Sequence, residues 1–144
     1  MYTSEDLIKI VNRSLSEISY PDKPENLYEP IRYVMSLGGK RIRPVMLLLV
    51  YNMYGKDIDE ALKVAMALEI YHNYTLLHDD LMDNADMRRG HATVHKRWNT
   101  NTAILSGDTM LVLAYKYLIS AKTDCVDELA RIFTQTAIEI GEGP

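Results

Sequence analysis

The residues best suited to chemistry lie in one stretch, His78-Asp79-Asp80-Leu81-Met82-Asp83, followed after a short spacer by Asp86, Arg88, Arg89 and Gly90. At about 100° per residue, a helix through this stretch puts His72, Leu76, Asp79 and Asp83 within a wedge of about 60°, with Asp80 some 60° beyond Asp83. His72 precedes Asp79 by on the order of 10 Å along the axis. Such a grouping is unfavourable on its own. Like charges four apart on a helix repel by a few tenths of a kcal/mol, and acids at a helix C-terminus oppose the macrodipole by about as much. Most charge clusters are simply solvated faces, but this one is built against both preferences, and a cation would offset them. Oxygen ligands select a hard ion such as Mg2+, which takes one or two carboxylates, keeps waters and completes its shell with phosphate oxygens.

Two basic loops fit the same chemistry. Arg88 and Arg89 follow the carboxylates, and Gly38-Gly39-Lys40-Arg41-Ile42-Arg43-Pro44 forms a second loop. Arginine presents a planar fork to phosphate oxygens, lysine a point charge, and paired glycines let backbone approach closely. Either loop alone reads equally well as a solvated turn whose cations favour the preceding helix C-terminus. Beside the carboxylates, both read as phosphate grips. His72 alone is an ordinary core or surface histidine, and so are His78, His91 and His95.

Helices must position these groups, because nearly every periodic stretch has the helical repeat. Leu7, Ile8, Val11, Leu15 and Ile18 mark a first helix over residues 4–19, stopped by Pro21. A second has Pro30 in its first turn and ends at Gly38 and Gly39; a third runs from Pro44 to Tyr54. A long fourth spans residues 58–83, and the polar stretch 84–95 reads as a loop or irregular turn. Asn99 or Thr100 caps a fifth helix to Ala121, apolar on most sides and therefore expected to be central and buried. A sixth runs from Asp124 to Ile140. With no alternating β pattern, the expected fold class is all-α with about six helices.

Composition bounds the remaining choices. At 144 residues, 47% hydrophobic and 25% charged, the chain has the balance of one globular domain able to bury roughly 70% of its unfolded surface. Sixteen Lys and Arg against twenty Asp and Glu give a net charge of −4, which argues against an electrostatic nucleic-acid binder. Cys125, the one cysteine, forms no internal bridge and fits a reducing compartment. Residues 1–14 mix charges with apolar residues and lack a signal core, and the most apolar run, 45–51, is far too short to span a membrane. A soluble, cytoplasmic protein is the expectation.

Gly38-Gly39-Lys40-Arg41-Ile42-Arg43-Pro44, Asp79-Asp80-x-x-Asp83, Arg88-Arg89-Gly90 and Gly107-Asp108, in this order, resemble the trans-isoprenyl (polyprenyl) diphosphate synthases. The resemblance implies the N-terminal half of an all-α isoprenoid synthase bundle and the head-to-tail condensation of an allylic diphosphate with isopentenyl diphosphate. It further implies Mg2+ on Asp79 and Asp83 with Asp80 supporting, Arg88 on the allylic diphosphate, and Lys40, Arg43, His72 and Arg89 on isopentenyl diphosphate. Product length in this family depends on residues just before the first aspartate, here Tyr74 and Thr75. A Tyr in the fifth position before it resembles short-chain enzymes making C15 to C20 products, although the helical wheel sets Tyr74 well away from Asp79 and a core tyrosine reads as well.

The end of the chain resembles a mid-protein helix of that family, so residues 1–144 are expected to form one incomplete all-α domain. It would lack the family's second aspartate-rich motif and be poorly active or inactive alone. Its uncovered apolar faces imply an oligomer or association with a chain carrying the C-terminal half. Two rivals stand beside this reading: a non-catalytic regulatory subunit of a complete synthase, and an all-α metal-dependent phosphohydrolase using His78-Asp79 with His72, His91 or His95. The phosphohydrolase explains neither Gly39-Lys40 nor the double arginine.

Overall fold

Thr3 starts the first helix through a reciprocal cap. Its side-chain oxygen accepts from the Asp6 amide at 3.1 Å, and its own amide donates to the Asp6 carboxylate at 3.0 Å. Helix α1 (Ser4–Ser16) then buries Leu7, Val11 and Leu15, leaving the helix before the expected stop at Pro21. This computed structural model describes residues 1–55 and 57–143.

Helix α2 (Glu25–Ser36) starts earlier than expected, so Pro30 lies in its interior rather than its first turn. Proline has no N–H to give the preceding turn. Beside it the Ser106 hydroxyl donates to the Leu27 carbonyl at 2.8 Å, tying α2 to a distant helix. Helices α3 (Ile42–Met53) and α4 (Asp59–Met82) follow. The end of α4 is sharp: Asn84 adopts a left-handed φ of 51°, its amide donates to Leu81, and the Ala85 amide donates back to Asp80. This double closure stops the helix just past the acidic stretch.

The stretch expected to be a loop is ordered more specifically. It folds as a two-residue-per-strand antiparallel pair, β1 (Met87–Arg88) and β2 (His91–Ala92), followed by the short helix α5 (Val94–Arg97). A side chain of α2 anchors it, the Tyr33 hydroxyl donating to the Ala92 carbonyl at 2.6 Å, and within the stretch Thr93 Oγ1 donates to the Ala85 carbonyl at 2.7 Å. Such anchors depend on tertiary contacts that periodicity does not report. Helix α6 (Thr100–Ile119) is capped by Asn99, whose side chain accepts from the Thr102 amide at 2.8 Å. Helix α7 (Val126–Glu142) begins after Cys125, without a side-chain cap. The described residues therefore form an all-α fold of seven helices, one short, with a single small β ladder.

Helix α4 packs chiefly on α6, and a glycine brings them together. A Cβ at Gly107 would fall 2.1 Å from His78 Nε2. The expectation that this helix is buried on most sides is corrected in part: Ala103, Met110, Ala114 and Leu118 face the core, but Leu105, Val112 and Ile119 are 59%, 67% and 60% exposed. The physical reason is one-sided packing. Its neighbours α2, α4 and α5 cover one side, α7 covers little, and the outer face has no partner among the described residues. No helix among the described residues is long and apolar enough to cross a membrane.

Replacing Gly107 with Ala should destabilise the chain by about 1–3 kcal/mol in thermal or denaturant unfolding, because the methyl group overlaps the His78 ring. Combining it with His78→Ala should recover part of that loss. An additive double mutant would mean that the ring is not the obstacle.

Candidate functional site

The three aspartates of the acidic stretch do not act alike. Asp80 faces inward and is buried, while Asp79 and Asp83 are exposed one turn apart at the C-terminal end of α4. Arg88 grips Asp80 with both arms of its fork, Nε to one carboxylate oxygen at 3.0 Å and Nη2 to the other at 2.7 Å. Among the described residues Asp79 and Asp83 take part in no ion pair, and no three Asp, Glu, His or Cys side chains converge as a preformed metal cage. Two free carboxylates remain as candidate ligands. A donor set of this kind suits an ion that keeps most of its waters.

The first basic loop carries two backbone irregularities at its hinge. Gly38 and Gly39 have φ of 79° and 153°, and Arg41, which is not glycine, has a left-handed φ of 55°. Arg41 turns inward instead of joining the exposed cations of its loop. Only 5% exposed, it donates to Glu69 at 3.1 Å and to Asn12 of α1 at 2.8 Å. A buried guanidinium needs such a partner, and losing either member of a buried pair costs about 3–5 kcal/mol. Lys40 and Arg43 stay exposed.

Together with His72 and Arg89, these residues line an open cleft of about 470 Å³ whose floor is Glu69 and Arg41. Arg43 Nη1 lies 3.3 Å from His72 Nε2. Since guanidinium only donates, this nitrogen acts as acceptor, which requires a neutral ring protonated at Nδ1. Burial, and next the charge of Arg43, push the His72 pKa below its ordinary 6.5.

Arg89 reaches the same cleft from the hairpin. It occupies the first position of the two-residue turn between β1 and β2 at φ 53°, with Gly90 second at φ 80°, a turn type that favours Asn-Gly. Its Nη1 donates to the Gly38 carbonyl and, at 3.4 Å, to Asn73 Oδ1. A Cβ on Gly39 would fall 3.0 Å from its Nη2. Burial, and then Arg41, disfavour its charge. An anion in the cleft would relieve that repulsion.

The structure thus brings together Lys40, Arg43, His72 and Arg89 in one cleft, and sets Arg88 with Asp80 beside the exposed Asp79 and Asp83. Tyr74 and Thr75 lie elsewhere. Tyr74 is half-buried in ring contact with Tyr71 at 5.4 Å and His78 at 4.9 Å, and the Thr75 hydroxyl donates to the His72 carbonyl at 2.6 Å. His78 is turned toward α6, with Nε2 3.3 Å from the Ile104 carbonyl and 3.9 Å from Asp108. Sequence reasoning missed two buried polar residues, Glu69 at the floor of the cleft and Asn73, which Arg89 reaches. The available signal was polar side chains four apart at core positions, between Met66 and Leu77.

The polyprenyl synthetase family model matches residues 24–144. The chain belongs to that family. It is 40% identical over 145 residues to the geranylgeranyl pyrophosphate synthase of Geoglobus acetivorans, covering 96% of this chain and 44% of that enzyme. It is 39% identical over 131 residues to the farnesyl diphosphate synthase of Micrococcus luteus, covering 90% of this chain and 45% of that one. A crystal structure of geranylgeranyl pyrophosphate synthase superposes with a TM-score of 0.94 at 43% identity, over 99% of this chain and 44% of that chain. This polyprenyl synthetase chain therefore spans less than half the length of these relatives.

Arg43→Ala should raise the His72 pKa, read by NMR titration of the ring protons, because it removes the second of the causes that depress it. The unfolded chain binds that proton more readily than the folded one. The contribution of His72 to stability is accordingly present above pH 6.5 and lost as the pH falls through its folded value. An unmoved pKa would mean that Arg43 does not face the ring in solution.

Proposed function

We propose that this chain supplies the half of a short-chain prenyltransferase that holds an allylic diphosphate and isopentenyl diphosphate for condensation to a C15 to C20 product. One observation carries the reading: Arg88 holds both oxygens of the inward Asp80, while Asp79 and Asp83 are exposed and, among the described residues, without an ion pair at the end of the helix that carries His72 of the cationic cleft. Those two aspartates would hold Mg2+, matching its preference for one or two carboxylates with water and phosphate oxygens. Bound there, the ion would supply charge neutralisation for the departing diphosphate.

The chain's own residues do the remaining work. Asp80 takes Arg88 through Nε and Nη2, which leaves Nη1 to grip the allylic diphosphate. Lys40, Arg43, His72 and Arg89 hold isopentenyl diphosphate with its double bond toward the allylic carbon. When the allylic C–O bond breaks, its electron pair leaves with diphosphate. The double bond attacks the resulting carbocation, and the departed diphosphate takes the proton that the new chain loses. Tyr74, with Thr75, limits the length of the growing chain.

Residues 1–144 form in this reading one incomplete all-α domain, in a cytoplasmic protein whose single cysteine stays reduced. Exposed apolar residues support the incompleteness: Met46, Val50 and Met53 on α3 are 58%, 54% and 73% exposed, and α7 buries none of its residues. The length of the relatives that this chain does not span would cover them, and would complete the diphosphate site.

Turnover should be measured with Mg2+, isopentenyl diphosphate and geranyl diphosphate, with and without a chain carrying the C-terminal half of a relative. Product should form only with both chains, and Asp79→Asn or Asp83→Asn should lower its rate by roughly 10²-fold or more. No product in either arm, together with no Mg2+-dependent diphosphate binding, would remove the synthase reading. Altered product length when the chain is added to a complete synthase, without turnover of its own, would favour a regulatory subunit. In the assembled enzyme, Tyr74→Ala should shift the product toward longer chains by chromatography; an unchanged distribution would make Tyr74 a core residue only.

A further inference from the structure

Three polar residues interrupt the buried side of α4: Glu69, Asn73 and Asp80, at 2%, 1% and 7% exposure. Asp80 is accounted for by Arg88. Glu69, at the floor of the cleft, and Asn73 are almost wholly buried, and a buried polar pair of this kind is retained at a cost unless each group finds a partner. Their hydrogen bonds lead to Arg89. We propose that Glu69 and Asn73 are positioning residues that hold the Arg89 guanidinium in place for a diphosphate; the proposal rests on the functional reading above and extends it to side chains that never reach the substrate.

The direction of the chain of bonds follows from donor and acceptor chemistry. A carboxylate only accepts, so Glu69 draws the amide end of Asn73 toward itself: Nδ2 donates to Glu69 Oε1 at 3.3 Å and to the Glu69 carbonyl at 2.9 Å. The other end of Asn73, its carbonyl oxygen, is thereby turned to Arg89, a group that only donates, and receives Nη1 at 3.4 Å. Arg41 donates to the same Glu69 oxygen at 3.1 Å, and Arg41 is fixed in turn by Asn12 of α1. On the opposite side, the Gly38 carbonyl accepts from Arg89, and the missing Cβ of Gly39 leaves room for the guanidinium. Arg89 is thus held from the helix and from the loop. Such constraint matters at this position, since its backbone sits in a left-handed turn that would otherwise favour a shorter side chain.

On the same cleft Lys40 makes no such bond among the described residues, and Arg43 reaches the ring of His72 rather than Glu69 or Asn73. Losing the buried pair should therefore weaken a diphosphate held by Arg89 without disturbing one held at Asp79, Asp83 and Arg88. This separation gives the test its control.

Isopentenyl diphosphate would be titrated by calorimetry into the chain as it stands, and into Asn73→Ser, Arg89→Ala and the double variant. Asn73→Ser can still donate its hydroxyl to the Glu69 carbonyl one turn back, which preserves the helix, but it is too short to reach Arg89. Its dissociation constant should rise roughly tenfold. The double variant should be no weaker than Arg89→Ala alone, because Asn73 acts only through Arg89. Binding of geranyl diphosphate with Mg2+ should stay unchanged. If Asn73→Ser loses its helical circular dichroism, Asn73→Ala carries the same test: it removes the acceptor for Arg89 while Glu69 keeps its Arg41 partner, and its loss should likewise vanish in the Arg89→Ala background.

Losses that multiply in the double variant, an unaltered affinity in both single α4 variants, or equal weakening of both diphosphates would overturn the positioning role while leaving the functional reading intact. A wild-type chain that binds neither diphosphate would overturn both.

Discussion

Asp80 ends a helix with its carboxylate turned toward the protein interior, a position that needs a matching cation. Arg88 supplies it through a two-armed contact at 2.7 and 3.0 Å, and because a fork meets a carboxylate in only one plane, the contact fixes the hairpin against the end of α4. The Arg88 side chain is a third exposed, so the pair is weaker than a fully buried one, yet it is still a charge-assisted bond at the junction of two elements. Electrostatics at the helix end changes with it. Of three carboxylates crowded against the unfavourable end of a macrodipole, one is neutralised internally and two remain, a residual charge that a divalent cation matches. Placement of the next residue follows as well. Once Arg88 is locked, the turn delivers Arg89 to the far side of the hairpin and into the cleft beside Lys40 and Arg43.

The acidic end, His72, Glu69 and Asn73 all belong to α4 or its cap, and α4 is held chiefly by α6. Gly107 permits their close approach at His78, and the Ser106 hydroxyl reaches past it to the Leu27 carbonyl of α2. One wall of the bundle is thus tightly keyed together while the other wall is open: Leu105, Val112 and Ile119 of α6 and the outer stripe of α3 lie uncovered. A chain that spans about 44% of the relatives it matches would be expected to divide in this way, with the interior of the longer fold becoming surface.

Much of this was legible in the sequence, for reasons that differ by residue. The α4 helix declared itself by length and periodicity, but the wheel grouped Asp80 with Asp79 and Asp83, and only the Arg88 contact shows that Asp80 turns inward. Asn99 was readable as a cap because capping is local chemistry. The hairpin was not readable, since its order comes from Tyr33 and Thr93, and Tyr33 lies far from it in the chain. Pro30 misled about the start of α2, because a proline is most at home in a first turn, whereas here the helix begins five residues earlier, at Glu25. Arg41 looked like one more cation of a phosphate loop. Only its tertiary partner Glu69 makes it part of the floor, and nothing in a run of basic residues distinguishes the one that turns inward.

The backbone at Arg41 and Arg89 shows where local preference has been overruled. Left-handed φ values of 55° and 53° at long side chains cost roughly 1–2 kcal/mol each, and both residues meet at the same cleft. Strain of this kind persists only where surrounding contacts over-determine it, and here they do: Asn12 and Glu69 for Arg41, Asn73 and the Gly38 carbonyl for Arg89. Of the remaining cations, Lys40 makes no such bond among the described residues, and Arg43 reaches only the His72 ring, at 3.3 Å. The cleft therefore has a part ordered by folding and a part left for a ligand to order. Rotamer freedom of the first kind is lost once, during folding, and does not weaken binding; freedom of the second kind opposes every binding event by about 0.5–1.5 kcal/mol per side chain. Placing one arginine of the grip in the ordered part gives an incoming anion a fixed point of attachment before the exposed cations close on it.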